Sequence, residues 1–129
     1  MSFRYYNANA KGRHTNDCVV RAISLAEDKT WNETYKELSE LARVQGILLD
    51  DVNFVEPLLD SKYTRKCFED TFVGEFIEKH PKGKYLITML GHITCVIDGV
   101  LYDSFDCRNR IMKCAWEVKW FPYGSIAKW

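Results

Sequence analysis

Three residues far apart in this chain of 129 carry side chains that together could act on a carbonyl carbon: Cys18, His92 and Asp103. Cys18 follows Thr15-Asn16-Asp17, side chains that cap helices by accepting bonds from free N–H groups. It precedes Val19, Ala22, Ile23 and Ala26, the i, i+3, i+4, i+7 stripe of a helix with one buried face. A thiol in the opening turn of such a helix faces the positive end of the helix dipole and unpaired backbone amides. Both favour the thiolate. The same amides could later donate to an oxyanion on a substrate. Judged by position alone, Cys18 is equally a small buried residue at a helix start.

His92 follows Gly91 at the head of an apolar run, and Asp98-Gly99 separates that run from the next. Asp-Gly between two apolar segments is a strong hairpin signal, because both turn positions need positive φ. A two-residue turn there sets Ile97 opposite Val100, Cys95 opposite Tyr102 and Thr94 opposite Asp103. Side chains alternate faces with period two, so His92, Thr94 and Asp103 share one face, with His92 and Asp103 as diagonal neighbours. Phe105 then lies opposite His92, where it can shield the pair from water. Asp106 has the other parity and is the weaker acid. A helix-start cysteine with a histidine oriented by an acid is the nucleophile, base and orienter of thiol acyl transfer.

The stretches Thr15-Asn16-Asp17-Cys18-Val19-Val20-Arg21-Ala22, Gly91-His92-Ile93-Thr94-Cys95-Val96-Ile97-Asp98-Gly99 and Asp103-Ser104-Phe105 resemble a small papain-like cysteine peptidase of phage or bacterial type. They are also similar to the bacteriocin-processing peptidases, in which an Asp-Cys pair opens the central helix. Asp103-Ser104-Phe105 resembles the Asn-Ser-Trp segment of papain-type enzymes. The resemblance implies a cysteine helix packed on an antiparallel sheet that carries the histidine and its acid, and cleavage of peptide or isopeptide bonds. It covers two stretches, Thr15 to Ala26 and Lys84 to Phe105. It also implies a glutamine about six residues before the cysteine, for the oxyanion hole; here that position is Gly12. Asn16 is the candidate substitute, with Asn7 and Asn9 more remote, although Asn16 equally serves as a helix cap.

The elements that must position these residues read as α+β: helices first, strands afterwards. The nucleophile helix runs from Asn16-Asp17 to about Ala26. A second helix runs from Thr30 to about Val44, opened by a Thr30-Trp31-Asn32-Glu33 capping box and closed by Gly46. Between Ile47 and Leu59, Pro57 suits the first turn of a short helix carrying Leu58 and Leu59. Tyr63 to Phe68 reads as a short strand. Thr71 to His80 reads as a helix with Phe72, Val73, Phe76 and Ile77 inward. Lys84 to Met89, Ile93 to Ile97, Val100 to Tyr102 and Ile111 to Trp120 read as strands.

Composition bounds the function. With 18 basic against 18 acidic residues and 47 % apolar content, the chain reads as one soluble domain over residues 1–129 with no phosphate-neutralising surface, so no nucleic-acid partner is expected. No run approaches a membrane span, and Met1-Ser2-Phe3-Arg4-Tyr5-Tyr6 lacks the apolar stretch of a secretory signal, which points to the cytoplasm. Five cysteines, odd in number and irregularly spaced, argue against a disulfide framework. Without a C-x-x-C pair or finger-spaced histidines they do not form a zinc site. Cys67, Cys95, Cys107 and Cys114 accordingly read as small buried hydrophobes.

The remaining candidates read as structural. His14 suits the surface, His80 a helix end, and Arg21 an i, i+4 pair with Asp17. Trp116, Trp120, Phe121, Tyr123 and Trp129 read as a packing strand and tail. The expectation is a cofactor-free cysteine hydrolase acting on a peptide or protein. Two alternatives stand beside it: a transglutaminase-like acyltransferase using the same three residues, and an inactive binding or inhibitor protein on the same scaffold.

Overall fold

Thr30 opens the best-specified helix of the chain. Its hydroxyl accepts from Glu33 N at 3.1 Å, its own amide donates to Glu33 Oε1 at 2.9 Å, and Gly46 closes the far end at φ 71°. In chain order, the computed structural model, which describes residues 2–119, contains β1 (Ser2–Tyr5), α1 (Cys18–Ala26), α2 (Trp31–Gln45), α3 (Val52–Lys62), β2 (Thr64–Cys67), α4 (Val73–Lys79), β3 (Lys84–Met89), β4 (His92–Ile97), β5 (Val100–Asp103) and β6 (Met112–Glu117). The mixed α+β composition expected from the sequence is present. Trp120, Phe121, Tyr123 and Trp129 of the C-terminal aromatic cluster lie outside the described residues. Trp116 is fully buried in β6, as expected of a packing strand. Among the described residues no helix is long and apolar enough to cross a membrane.

The six strands form one sheet in the order β1-β5-β4-β3-β6-β2. Asp98 and Gly99, at φ 48° and 80°, make the two-residue turn that fixes β4 against β5, with Ile97↔Val100 and Cys95↔Tyr102 in register. Leu90 and Gly91 turn β3 into β4, so that Met89 pairs with His92 and the histidine is the first residue after the turn. Helices cover both faces. Ile23, Leu38 and Leu59 from α1, α2 and α3 pack with Leu86, Cys95 and Trp116. Val73, Phe76 and Ile77 of α4 pack with Ile87, Val96 and Leu101. The one-residue alternation of Leu86 with Ile87, and of Cys95 with Val96, divides the core between the faces.

Several expectations are corrected. The sheet is mixed, because β1 runs parallel to β5 from Ser2↔Val100 to Tyr5↔Asp103. Pro57 lies inside α3, not in its first turn. Asp51 caps the helix at Asn53 N (2.8 Å), well before the proline, and the carbonyl that Pro57 leaves without a donor belongs to exposed Asn53, where water can serve it. Phe72 is not inward: it stands at the N-cap of α4, 44 % exposed, its amide bonded to Glu75. The last strand is shorter than Ile111 to Trp120, with Ile111 in an isolated bridge to Phe72. Cys67 and Cys114 are not unpaired buried thiols; they face each other across β2 and β6 and are disulfide-bonded.

Ile23 and Thr30 give opposite tests of this packing. Truncation of the fully buried side chain, Ile23→Ala, is expected to cost about 2–5 kcal/mol in urea unfolding. Thr30→Ala, which removes only a cap, should cost about 1 kcal/mol.

Candidate functional site

Asp17 is the N-cap residue of α1 but does not cap it with its side chain. Its Oδ1 accepts from Arg21 Nε at 2.7 Å, while its Oδ2 accepts from Asn9 Nδ2 and Trp31 Nε1, each at 3.0 Å. The helix therefore begins with three amides, those of Cys18, Val19 and Val20, that have no acceptor within it; the first helical bond runs from Arg21 N to Asp17 O. Cys18 is partly buried among these amides.

Arg21, one turn further on, also reaches across to the sheet. Its Nη1 donates to Asp103 Oδ1 at 3.0 Å and to Ser104 Oγ at 3.3 Å. The pairing with Asp17 was legible from i, i+4 spacing. The pairing with Asp103, 82 positions away, had no sequence signal. Asp103 divides its oxygens: Oδ1 takes Arg21 and the Ser104 amide (2.6 Å), and Oδ2 takes His92 Nε2 at 2.7 Å. The His92 and Asp103 side chains are only 7 % and 2 % exposed. Phe105 covers the imidazole, ring centroids 4.7 Å apart, in the shielding position expected for it. Asp106 is exposed and turned to Arg108, in keeping with its lesser rank.

With Nε2 committed to Asp103, the other ring nitrogen of His92 is left without a partner among the described residues, and His92 and Cys18 line the same groove. Burial opposes ionisation of Cys18, but the neighbouring His92 ring, the Ile93 backbone and the charges of His92 and Arg21 outweigh it, so the thiol pKa is lowered. Burial likewise disfavours the imidazolium, yet the bond to Asp103, the neighbouring Cys107 and Cys18 thiols and the Asp103 charge raise the His92 pKa to about 11. Asp103 is held below the usual carboxylate range: burial pushes it up, but His92, Thr94 and the Ser104 amide more than compensate. Asp17 is lowered in the same way by Arg21, Asn9 and Trp31. The five groups thus alternate in preferred charge from Asp17 through Arg21, Asp103 and His92 to Cys18. Burial pushes the Cys95 thiol up to about 12, which leaves it inert.

Cys18, His92 and Phe105 line a groove of about 860 Å³, bordered also by Asn16, Arg13 and Arg110. Asn16 is exposed on its rim, one residue before the N-cap, and so is free of the capping role. Asn9 is buried against Asp17, and its carbonyl oxygen accepts from Lys11 N at 2.9 Å. The Asn7 amide donates to Arg13 O at 2.9 Å. Both more remote oxyanion candidates therefore hold the loop that precedes α1. His14 is exposed, 3.5 Å from the Tyr5 hydroxyl, and His80 Nδ1 meets Phe76 O at 2.9 Å; neither joins the cluster. Cys107, fully buried and 3.9 Å from Asp103 Oδ2, does join it, which spacing alone did not reveal. His92, Asp103 and Cys107 offer donor atoms within 4.8 Å of one another, but the direct 2.7 Å bond between His92 and Asp103 fits a shared proton and not an ion between them.

No family model, no curated protein and no solved structure matches the chain. The described elements make the architecture α+β, and the site is defined by its own geometry.

The paired carboxylates set a pH test. Asp17 and Asp103 have native pKa values below their unfolded ones, so their stabilisation is complete above the unfolded value and lost as the pH falls through the native one. The urea midpoint should decline from about pH 5 downward. Arg21→Met should cost about 3–5 kcal/mol at pH 7 by leaving two buried carboxylates without their cation, and should blunt or reverse that acid slope.

Proposed function

We propose that the protein is a cysteine hydrolase with a papain-like arrangement, a peptidase or isopeptidase that cleaves an amide bond in a peptide or protein. Cys18 is the nucleophile, His92 the general base and acid, and Asp103 the orienter. What carries this assignment is one observation: a part-buried thiol at a helix start lines the same groove as an imidazole whose Nε2 is held 2.7 Å from a buried carboxylate. In that setting the thiolate–imidazolium pair is the resting form. The thiolate adds to the substrate carbonyl, and the α1 amides, joined by Asn16 at the rim, donate to the oxyanion. His92 then gives its proton to the departing amine, leaving a thioester on Cys18. Finally His92 takes a proton from water, which attacks the thioester and releases the acid. No cofactor enters. Phe105 keeps water from the His92–Asp103 bond, which preserves the tautomer. A cytoplasmic setting, in a bacterium or a phage-infected host, belongs to the same proposal, although the Cys67–Cys114 disulfide is of a kind commoner in oxidising compartments.

A second reading, a binding protein on the same scaffold, is favoured by Gly12 in place of a glutamine and by the commitment of the Asn7 and Asn9 amides to the loop. It predicts that Cys18→Ala leaves function intact.

Alkylation by iodoacetamide with peptide mapping separates the two. At pH 6 Cys18 should react at least about tenfold faster than Cys95 or Cys107, because an ordinary thiol is almost wholly protonated there. His92→Ala should abolish the preference. Equal, slow labelling of the free thiols, unchanged by His92→Ala, would refute the enzyme.

The rate profile adds a pH test. A lowered Cys18 pKa and a raised His92 pKa should give a plateau across neutral pH, whereas His92→Ala should restore the steady rise of a free thiol towards its ordinary pKa near 8.5.

A further inference from the structure

The wall of the groove beside His92 ends in a guanidinium with no catalytic duty. Arg110 Cζ lies 5.1 Å over the Phe105 ring, and Phe105 in turn packs on His92. The backbone of Arg110 is fixed at both ends: its amide donates to Cys107 O at 3.1 Å and its carbonyl accepts from Val73 N at 2.9 Å. Arg13, on a loop pinned by Asn7 and Asn9, lines the same groove. Among the described residues neither guanidinium pairs with a carboxylate, whereas Arg21 is taken up by Asp17 and Asp103, and Lys113 approaches Glu56 at 3.8 Å. The acidic residues lining the groove are Asp50, just before the N-cap of α3, and Glu56, within that helix. Glu56 is paired with Arg65 at 3.1 Å as well as with Lys113.

We propose that Arg110, seconded by Arg13, forms a carboxylate-recognising subsite, so that the preferred substrate is a peptide with an acidic residue or a free C-terminal carboxylate next to the bond attacked by Cys18. This rests on the cysteine-hydrolase reading and names its substrate class. Arg110 suits the task because a guanidinium offers forked donors that match a carboxylate, and stacking on Phe105 holds it without a competing anion. Stacking also couples it to the ring that covers His92, so a bound carboxylate sits beside the reacting thiol.

The test compares two probes of nearly equal size, iodoacetate and iodoacetamide, at Cys18. The ratio of their rates reads the subsite, and the iodoacetamide rate alone reads the nucleophile. Relative to wild type, Arg110→Gln should lower the iodoacetate-to-iodoacetamide ratio about fivefold, the effect of one nearby unit charge at a wet site. Arg110→Glu should lower it further, and raising the salt to about 1 M should compress the difference. Arg110 is exposed, so neither change empties the core. A ratio unchanged in both variants, with Cys18 still fast towards iodoacetamide, overturns the subsite and leaves the nucleophile standing. A Cys18 slow towards both reagents overturns both.

Discussion

The guanidinium of Arg21 is the tie on which the site depends. It holds Asp17 at the start of α1 and Asp103 at the end of β5, two elements that share no local sequence relationship. A buried cation between two carboxylates repays its desolvation only when every arm is satisfied, and here Asn9, Trp31, Ser104 and His92 occupy the remaining oxygen positions. One network therefore fixes the entry of the helix, the docking of α2 through Trp31, and the tautomer of the imidazole. Removing any one member disturbs more than its own contact.

The same network explains why the helix start is available for chemistry. A capping aspartate ordinarily spends its side chain on the first-turn amides. Asp17 spends it on Arg21 and its neighbours, so its carboxylate does not take up the first-turn amides around Cys18. The hairpin contributes its share through turn geometry: positive φ at Asp98 and Gly99 fixes the β4–β5 register, and Gly91 at φ 70° turns β3 directly into His92. Short turns leave little slack, and the histidine and its acid meet without a long loop between them.

What was legible in the sequence was local and strongly patterned. The Asp98-Gly99 turn fixed the register that put His92 beside Asp103, and the Thr30–Glu33 capping box marked α2. What escaped depended on long-range pairing. The β1 strand is short and mostly exposed, and its partner lies about a hundred positions away, so no alternation betrays it. Cys67 and Cys114 face each other only because of the β2–β6 register, which spacing does not encode. Pro57 suggests a first-turn position by its missing N–H, but Asp51 caps the helix well upstream and the proline falls inside it. The period places Phe72 inward, but α4 begins at Val73 and leaves Phe72 outside as its N-cap. The second arm of Arg21 had no signal in the chain at all.

That second arm also governs which residue position 103 can hold. An asparagine could still orient an isolated imidazole, since an amide oxygen accepts a ring N–H. Beside Arg21 it would strip the guanidinium of one of its two counter-charges inside the protein. Positions 21 and 103 are therefore chemically married: whatever lineage exchanges one must exchange the other, and their joint variation among descendants is the trace this architecture should leave.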